Sequence, residues 1–194
     1  SLTPDVCRPF DKNRKGLVIG EGCGIIIMER ENGRTHQKVY GRILGTGLAS
    51  NAYHMTAPHI NGTGELAAMQ NALHDANIDS SNIDYISAHG TGTKKNDYTE
   101  AKAILRLFGA TPPPVSSFKS MLGHSMGAAS ILELIASFLM LKHDTLLPTM
   151  NFEAKDEACD LDIVANAAKK KKIQSILSNS FAFGGQTSSI VIGA

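Results

Sequence analysis

Apolar residues come in short blocks along the chain, separated by polar and glycine-rich stretches. Gly24 to Glu29 is a continuous apolar run that reads as a buried strand, and Lys38 to Leu48 reads as a second, with a polar connection from Arg30 to Gln37 between them. From Glu65 to Ala76, the residues Leu66, Met69, Leu73 and Ala76 fall on one helical face, and Ile83 to Ala88 returns as a strand that ends at His89. A helix is predicted from about Tyr98 to Phe108, closed by Gly109 where a helix C-terminus favours glycine. Three prolines, Pro112 to Pro114, force an extended entry into Val115 to Phe118.

Gly127 to Lys142 is the most apolar helix predicted. Its Ile131, Leu132, Leu134, Ile135, Phe138, Leu139 and Leu141 go nearly all the way round, the pattern of a helix buried on every side. Asp162 to Ala165, Ile176 to Ser180 and Ile190 to Ile192 are late strands, and the lysine run Lys169 to Lys172 reads as a solvated turn. Alternating strands and helices predict a layered α/β fold with a mixed, mostly parallel sheet and helices on both faces. An all-round apolar helix belongs between two sheets, yet the chain supplies clear strands for one, so a second half is expected to be missing.

A formal net charge of +1, from 19 basic and 18 acidic residues, carries no nucleic-acid or membrane-surface footprint. The apolar stretch Ile131 to Leu141 is short for a bilayer span and contains Glu133, which predicts a soluble protein of the cytoplasm. Cys7, Cys23 and Cys159 are odd in number and lack metal-like spacing, so they predict neither disulfides nor a zinc site. The start at Ser1 reads as cut from a longer chain.

His89 follows a strand and opens Ala88-His-Gly-Thr-Gly-Thr93, at the carboxyl end of a sheet strand where α/β proteins place ligands. His124 stands in Gly123-His-Ser-Met-Gly-Ala-Ala129, at the entrance to the apolar helix, where the helix dipole would lower its affinity for a proton. A neutral imidazole there can donate its N–H to a developing oxyanion. Either histidine alone would read as a satisfied structural residue; two in Gly/Thr/Ser-rich turns at element boundaries point to a site. No third ligand joins them, so no metal is expected. Lys119, five residues before His124, would be costly to bury unpaired, and Glu100 or Asp97 could neutralise it; a salt bridge that orients the histidine loop is preferred over Lys119 as a nucleophile.

Taken together, Cys7-Arg-Pro-Phe-Asp11, Gly20-Glu-Gly-Cys-Gly24, Ala52-Tyr-His-Met-Thr56, His89-Gly-Thr-Gly-Thr93, Lys119-Ser-Met-Leu-Gly-His124 and Asn179-Ser-Phe-Ala-Phe-Gly-Gly185 resemble the elongating β-ketoacyl-acyl carrier protein synthases, with their thiolase-like fold. The resemblance runs in order over essentially the whole chain, and implies that 1–37 is the tail of an N-terminal half that is missing and 38–194 the C-terminal half. It implies an acyltransferase that condenses an acyl thioester with malonyl carrier protein in fatty acid or polyketide synthesis. His89 and His124 would stabilise the enolate oxygen as carbon dioxide leaves, and His89 would also help activate a water or the carboxylate. Lys119 matches the family lysine, with Glu100 as its ion-pair partner. Thr91 and Thr93 would hydrogen-bond the phosphopantetheine arm of acyl carrier protein, the substrate carrier, with no separate cofactor. Phe183 would gate the acyl pocket and lend its backbone N–H to an oxyanion hole. Glu133 matches a buried glutamate sometimes tied to a cation. The implied partners are acyl carrier protein, the missing N-terminal half, and a second synthase subunit in a homodimer or heterodimer.

The departures matter. Nothing matches the family's nucleophilic cysteine, so the chain alone is expected to be inactive. Cys23 reads as a small core residue, and Cys7 and Cys159 have no nearby base. Ala182 stands where the family usually has glycine, and Gln186-Thr187 where it usually has Thr-Asn; a methyl at Ala182 would stiffen the gating loop. A non-catalytic, chain-length-factor-like subunit of a heterodimeric ketosynthase is the alternative reading.

Overall fold

The computed structural model describes residues 2–3, 6–30 and 39–194. In chain order its elements are β1 (Arg42–Ser50), α1 (Thr63–Ala76), β2 (Tyr85–Ser87), α2 (Lys94–Phe108), β3 (Val115–Ser116), α3 (Lys119–Leu122), α4 (Ala129–His143), β4 (Thr145–Leu146), β5 (Lys169–Lys170), β6 (Ser175–Phe181) and β7 (Gln186–Gly193). Five strands form one sheet in the order β1-β7-β6-β2-β3. The sheet is mixed, as expected, but parallel pairing is confined to β6-β2-β3, while β1-β7 and β7-β6 are antiparallel.

Period-2 alternation decides what each face of the sheet covers. Tyr85, Ile176 and Ile192 lie in register across β2, β6 and β7 and pack with Leu134, Phe138 and Leu141 of α4. Their neighbours Ile86, Leu177 and Val191 point the other way, into a core with Met69 and Leu73 of α1 and Ala101 and Ile104 of α2. Each such aliphatic side chain, once fully buried, contributes roughly 1.5–3 kcal/mol, so the sheet is clamped from both sides.

α2 begins one turn earlier than its apolar stripe predicts. Its first turn is polar, and the Asp97 carboxylate is fixed by N–H groups of Phe10 and Gly92 at 2.8 and 3.2 Å rather than by packing. α4 begins after a single 3₁₀ turn, Met126–Ala128, and is buried on one face only: Glu133, Leu134, Ser137, Phe138, Met140 and Leu141 are covered, whereas Leu139 is exposed. With its leading turn it makes 18 residues of mean hydropathy 1.3, long and apolar enough by that measure to cross a membrane, contrary to the shorter span expected. Its inward face carries Glu133 and Ser137, both buried, which is the anatomy of a core helix.

The expected buried strand at Gly24 to Glu29 is extended but unpaired among the described residues. Gly22 and Gly24 lie against Leu132, Ile131 and Ile135 of α4, and Ile26 packs on the same core. Ile25 and Ile27 face outward, 84% and 86% exposed, and Cys23, expected in the core, is exposed with them. An apolar run sets strand propensity, but a strand needs a neighbour to take its backbone groups. Residues 31–37 of the expected polar connection lie outside the described residues. Asp162 to Ala165 makes only single bridges, Ile163 to Val115 and Ala165 to Thr149, and the exposed lysines begin with β5, which pairs β4.

Candidate active site

β2 delivers His89. Two residues beyond Ser87, it continues the face of Tyr85 and Ser87, toward α4. Its loop is fixed from α2: the N–H groups of His89 and Gly90 donate to Oε1 and Oε2 of Glu100, each at 2.8 Å. Gly90 stands at φ 36°, its carbonyl accepts from Ser117 Oγ at 2.7 Å, and a Cβ there would stand 2.6 Å from the Ser117 Cβ. No other residue fits that crossing.

His124 arrives from the opposite side. Its N–H donates to the Val18 carbonyl at 2.7 Å and its own carbonyl accepts from Gly20, which stitches it to the extended segment. The two rings meet nearly edge to face, at 85° with centroids 5.5 Å apart. Lys119, 1% exposed, sits behind them. Its three N–H directions go to Glu133 Oε1 at 2.5 Å, the His89 carbonyl at 2.6 Å and His89 Nδ1 at 3.4 Å. The ion-pair partner is therefore Glu133, not Glu100. Glu100 instead holds the backbone of the histidine it was expected to serve through Lys119.

These bonds assign the tautomers. His89 Nδ1 accepts from Lys119, and His124 Nδ1 accepts from the Met126 N–H at 3.1 Å. Each neutral ring then carries its proton on Nε2. Burial drives the His89 pKa well below 6.5, helped by the Lys119 charge and by His124. Burial and then Lys119 bring His124 down to about 4. Desolvation and an ammonium keep both rings neutral, where a helix dipole had been expected to act on His124. Burial lifts the Glu100 carboxyl to about 7 against the N–H groups of Gly90 and His89.

Thr91 and Thr93 follow directly, with their hydroxyl oxygens 2.8 Å apart. Phe183 lies in a 3₁₀ turn between β6 and β7 and is 70% exposed. The aromatic wall against His89 is Phe181, with ring centroids 5.4 Å apart, a contact the sequence reading missed. Asp97, named from the sequence as a candidate partner of Lys119, is instead the fully buried anchor of the Gly92 backbone, beside Arg14 Nε at 3.5 Å. Lys119 takes neither Asp97 nor Glu100 and pairs with Glu133. Burial pushes the Cys7 and Cys159 thiols up to about 11 and about 12, so neither is a thiolate near neutrality.

Residues 40–153 match the model of the β-ketoacyl synthase C-terminal domain. The chain belongs to the β-ketoacyl synthase family. It is 44% identical over 189 residues to 3-oxoacyl-[acyl-carrier-protein] synthase 2 of Coxiella burnetii, covering 95% of this chain and 46% of that protein. Nodulation protein E of Rhizobium meliloti is 41% identical over 95% of this chain and 47% of its own length. The chain thus spans about half the length of the curated relatives it matches. Among solved structures, the ishigamide ketosynthase/chain length factor superposes with a TM-score of 0.95 at 44% identity, covering all of this chain and 48% of that one. A type II polyketide acyl-carrier protein in complex with its ketosynthase gives 0.92 at 37% identity, over 97% of this chain and 47% of that one. This β-ketoacyl synthase half has the thiolase-like fold expected from its motifs, with both histidines and the lysine in one place.

Proposed function

We propose that this chain is the C-terminal half of a condensing enzyme that joins an acyl thioester to malonyl-acyl carrier protein. The observation that carries the reading is the pair of neutral imidazoles, 5.5 Å apart, whose Nδ1 atoms are both engaged so that two Nε2–H donors remain. Such donors hold a thioester oxygen as negative charge develops on it. The malonyl C–C bond to the carboxylate breaks, carbon dioxide leaves, and its electron pair becomes an enolate whose oxygen lies between the rings. The enolate carbon then attacks the acyl thioester, and the cysteine thiolate leaves. That cysteine is assigned to the N-terminal half by the family's motif, which none of Cys7, Cys23 and Cys159 matches; Cys7 and Cys159 are in addition buried high-pKa thiols.

Thr91 and Thr93, adjoining His89, suit the hydroxyl- and amide-rich phosphopantetheine arm of acyl carrier protein. Phe183, on the exposed turn beyond Phe181, would gate the acyl pocket. The heterodimer and carrier-protein complexes among similar structures support acyl carrier protein and a second synthase subunit, identical or homologous, as partners; the cytoplasm is the proposed location. An intact His89–His124–Lys119 group favours a catalytic parent over a chain-length-factor-like subunit.

The test is malonyl decarboxylation by the full-length synthase. His124→Ala is expected to slow it by roughly 10², the scale of one lost oxyanion donor, and an undiminished rate refutes the assignment.

A further inference from the structure

We propose that Glu65 is a positioning residue: with Asn51 it forms a partly buried clasp between the start of α1 and the turn that carries Phe183. α1 starts behind Gly62, which has no side chain to cap the open N–H groups of the first turn. Asn51 supplies the missing cap from the end of β1, its Oδ1 accepting from the Gly64 N–H at 3.1 Å. The other end of the same amide donates from Nδ2 to Glu65 Oε1 at 3.0 Å. With both side-chain ends held, the backbone N–H of Asn51 donates to the Gly185 carbonyl at 2.7 Å, and Met55 accepts from Gly184 at 2.7 Å. The Thr187 hydroxyl, on the strand leaving the turn, donates to the Gly64 carbonyl at 3.0 Å.

Space enforces the arrangement. A Cβ on Gly64 would stand 2.7 Å from Asn51 Oδ1 and 3.0 Å from its N, so a side chain there would displace the amide. Glu65 is 1% exposed and its Oε2 has no hydrogen-bond partner among the described residues. A helix that only needed to pack on the sheet would do better with an apolar residue there, as Leu66, Met69 and Leu73 do around it. The retained carboxylate instead fixes Asn51. Because Phe183 is 70% exposed, its side chain does not anchor the turn, and the backbone bonds from Asn51 and Met55 take that role.

The consequence for acyl selection rests on the function proposed above; the clasp itself does not. Amide hydrogen exchange in the full-length synthase tests the clasp. Glu65→Ala should speed exchange at the Asn51 and Gly184 amides about tenfold, the scale of one buried hydrogen bond lost, with α1 and β6 unchanged. Glu65→Gln keeps an acceptor for Nδ2 and should stay within about twofold of wild type. Unchanged exchange in Glu65→Ala, an equal rise throughout the sheet, or a Gln variant that behaves like Ala overturns the proposal. Should Glu65→Ala not fold, Asn51→Asp, which sets a like charge against Glu65 while keeping the Gly64 acceptor, must show the same local rise. On the same preparations, Glu65→Ala should shift the ratio of long- to short-chain acyl loading about fivefold, with rescue by Gln; an unshifted ratio overturns the link to Phe183. A wild-type enzyme that does not acylate at all refutes the proposed function and leaves the exchange result to judge the clasp.

Discussion

His89 and His124 face each other across 5.5 Å but are held by unlike means. His89 is buried in a network of charge: Glu100 grips its backbone, Lys119 reaches both its carbonyl and its ring, and Glu133 neutralises Lys119. His124 is partly exposed and is held by neutral backbone bonds to Val18 and Met126. One ring is positioned by buried ions and the other by peptide groups. The difference places the stability cost of the site on the His89 side, since burying ions costs several kcal/mol each before pairing offsets it.

The harshest way to break this contrast is Lys119→Met. It strips the ring partner from His89 and leaves Glu133 buried without a counter-ion, while the bonds to His124 stay intact. A loss of about 3–5 kcal/mol in unfolding free energy is expected, the scale for orphaning one member of a buried pair, read from the denaturant midpoint. The double variant Lys119→Met/Glu133→Leu should recover most of that stability but none of the decarboxylation. Recovery of both would mean that the ion pair serves packing alone and that His89 needs no ammonium behind it.

That pairing also marks where the sequence stopped being legible. Periodicity located α1 and α4, because each has a long apolar stripe, short apolar blocks located β1 and β6, and the motif order located His89, Lys119 and His124 together. It did not reveal that Lys119 meets Glu133. Helical spacing puts Glu133 with Ser137 on one face of α4, but which cation faces them depends on how α3 turns toward β2, a tertiary fact. Gly24 to Glu29 misled for the complementary reason: its composition suits a buried strand, yet burial depends on neighbours, and Ile25 and Ile27 are left largely uncovered. Phe181 and Phe183 are both aromatic and two apart, so alternation sends them to one face of an ideal strand. The chain leaves β6 at Phe181, and only that ring reaches His89.

A pH profile sharpens the comparison with a smaller effect. Both rings have depressed pKa values, and His124 is brought to about 4. Neutral Nε2–H donors should therefore persist well below pH 6.5, and decarboxylation should hold down to about pH 5, failing only as the medium nears 4. An acid limb at 6.5 in the kcat profile would show that the rings are not desolvated in the working enzyme. Stability moves differently. Between about 4 and 6.5 the unfolded chain takes up protons that the folded imidazoles refuse, so acidification through that window destabilises the fold. Glu100, raised from 4.5 to about 7, acts in the opposite sense: the folded protein keeps a proton that the unfolded chain gives up, and stability falls as pH rises through that interval. Burial raises the Asp97 and Glu133 carboxyls in the same sense, so replacing Glu100 with Gln should weaken the second trend and leave the first.

The gentlest probe is Ala182→Gly. Ala182 sits at φ −132° and ψ 162°, extended backbone that any residue adopts, and its N–H donates to the Gln186 carbonyl at 2.8 Å. The unusual conformations of the turn lie beyond it, at Gly184 and Gly185 with φ of 83° and 79°. The methyl therefore strains nothing; it narrows what the unfolded and opened turn can explore. Removing it should cost about 0.4–1 kcal/mol and loosen the link between Phe181, which touches His89, and exposed Phe183. With the ring of His89 fixed from behind by Lys119, decarboxylation should change less than about twofold, while loading of long relative to short acyl chains should broaden. A tenfold fall in decarboxylation would instead mean that Phe181 holds His89 as firmly as the ions do, and the division between an ion-held and a backbone-held histidine would have to include an aromatic wall.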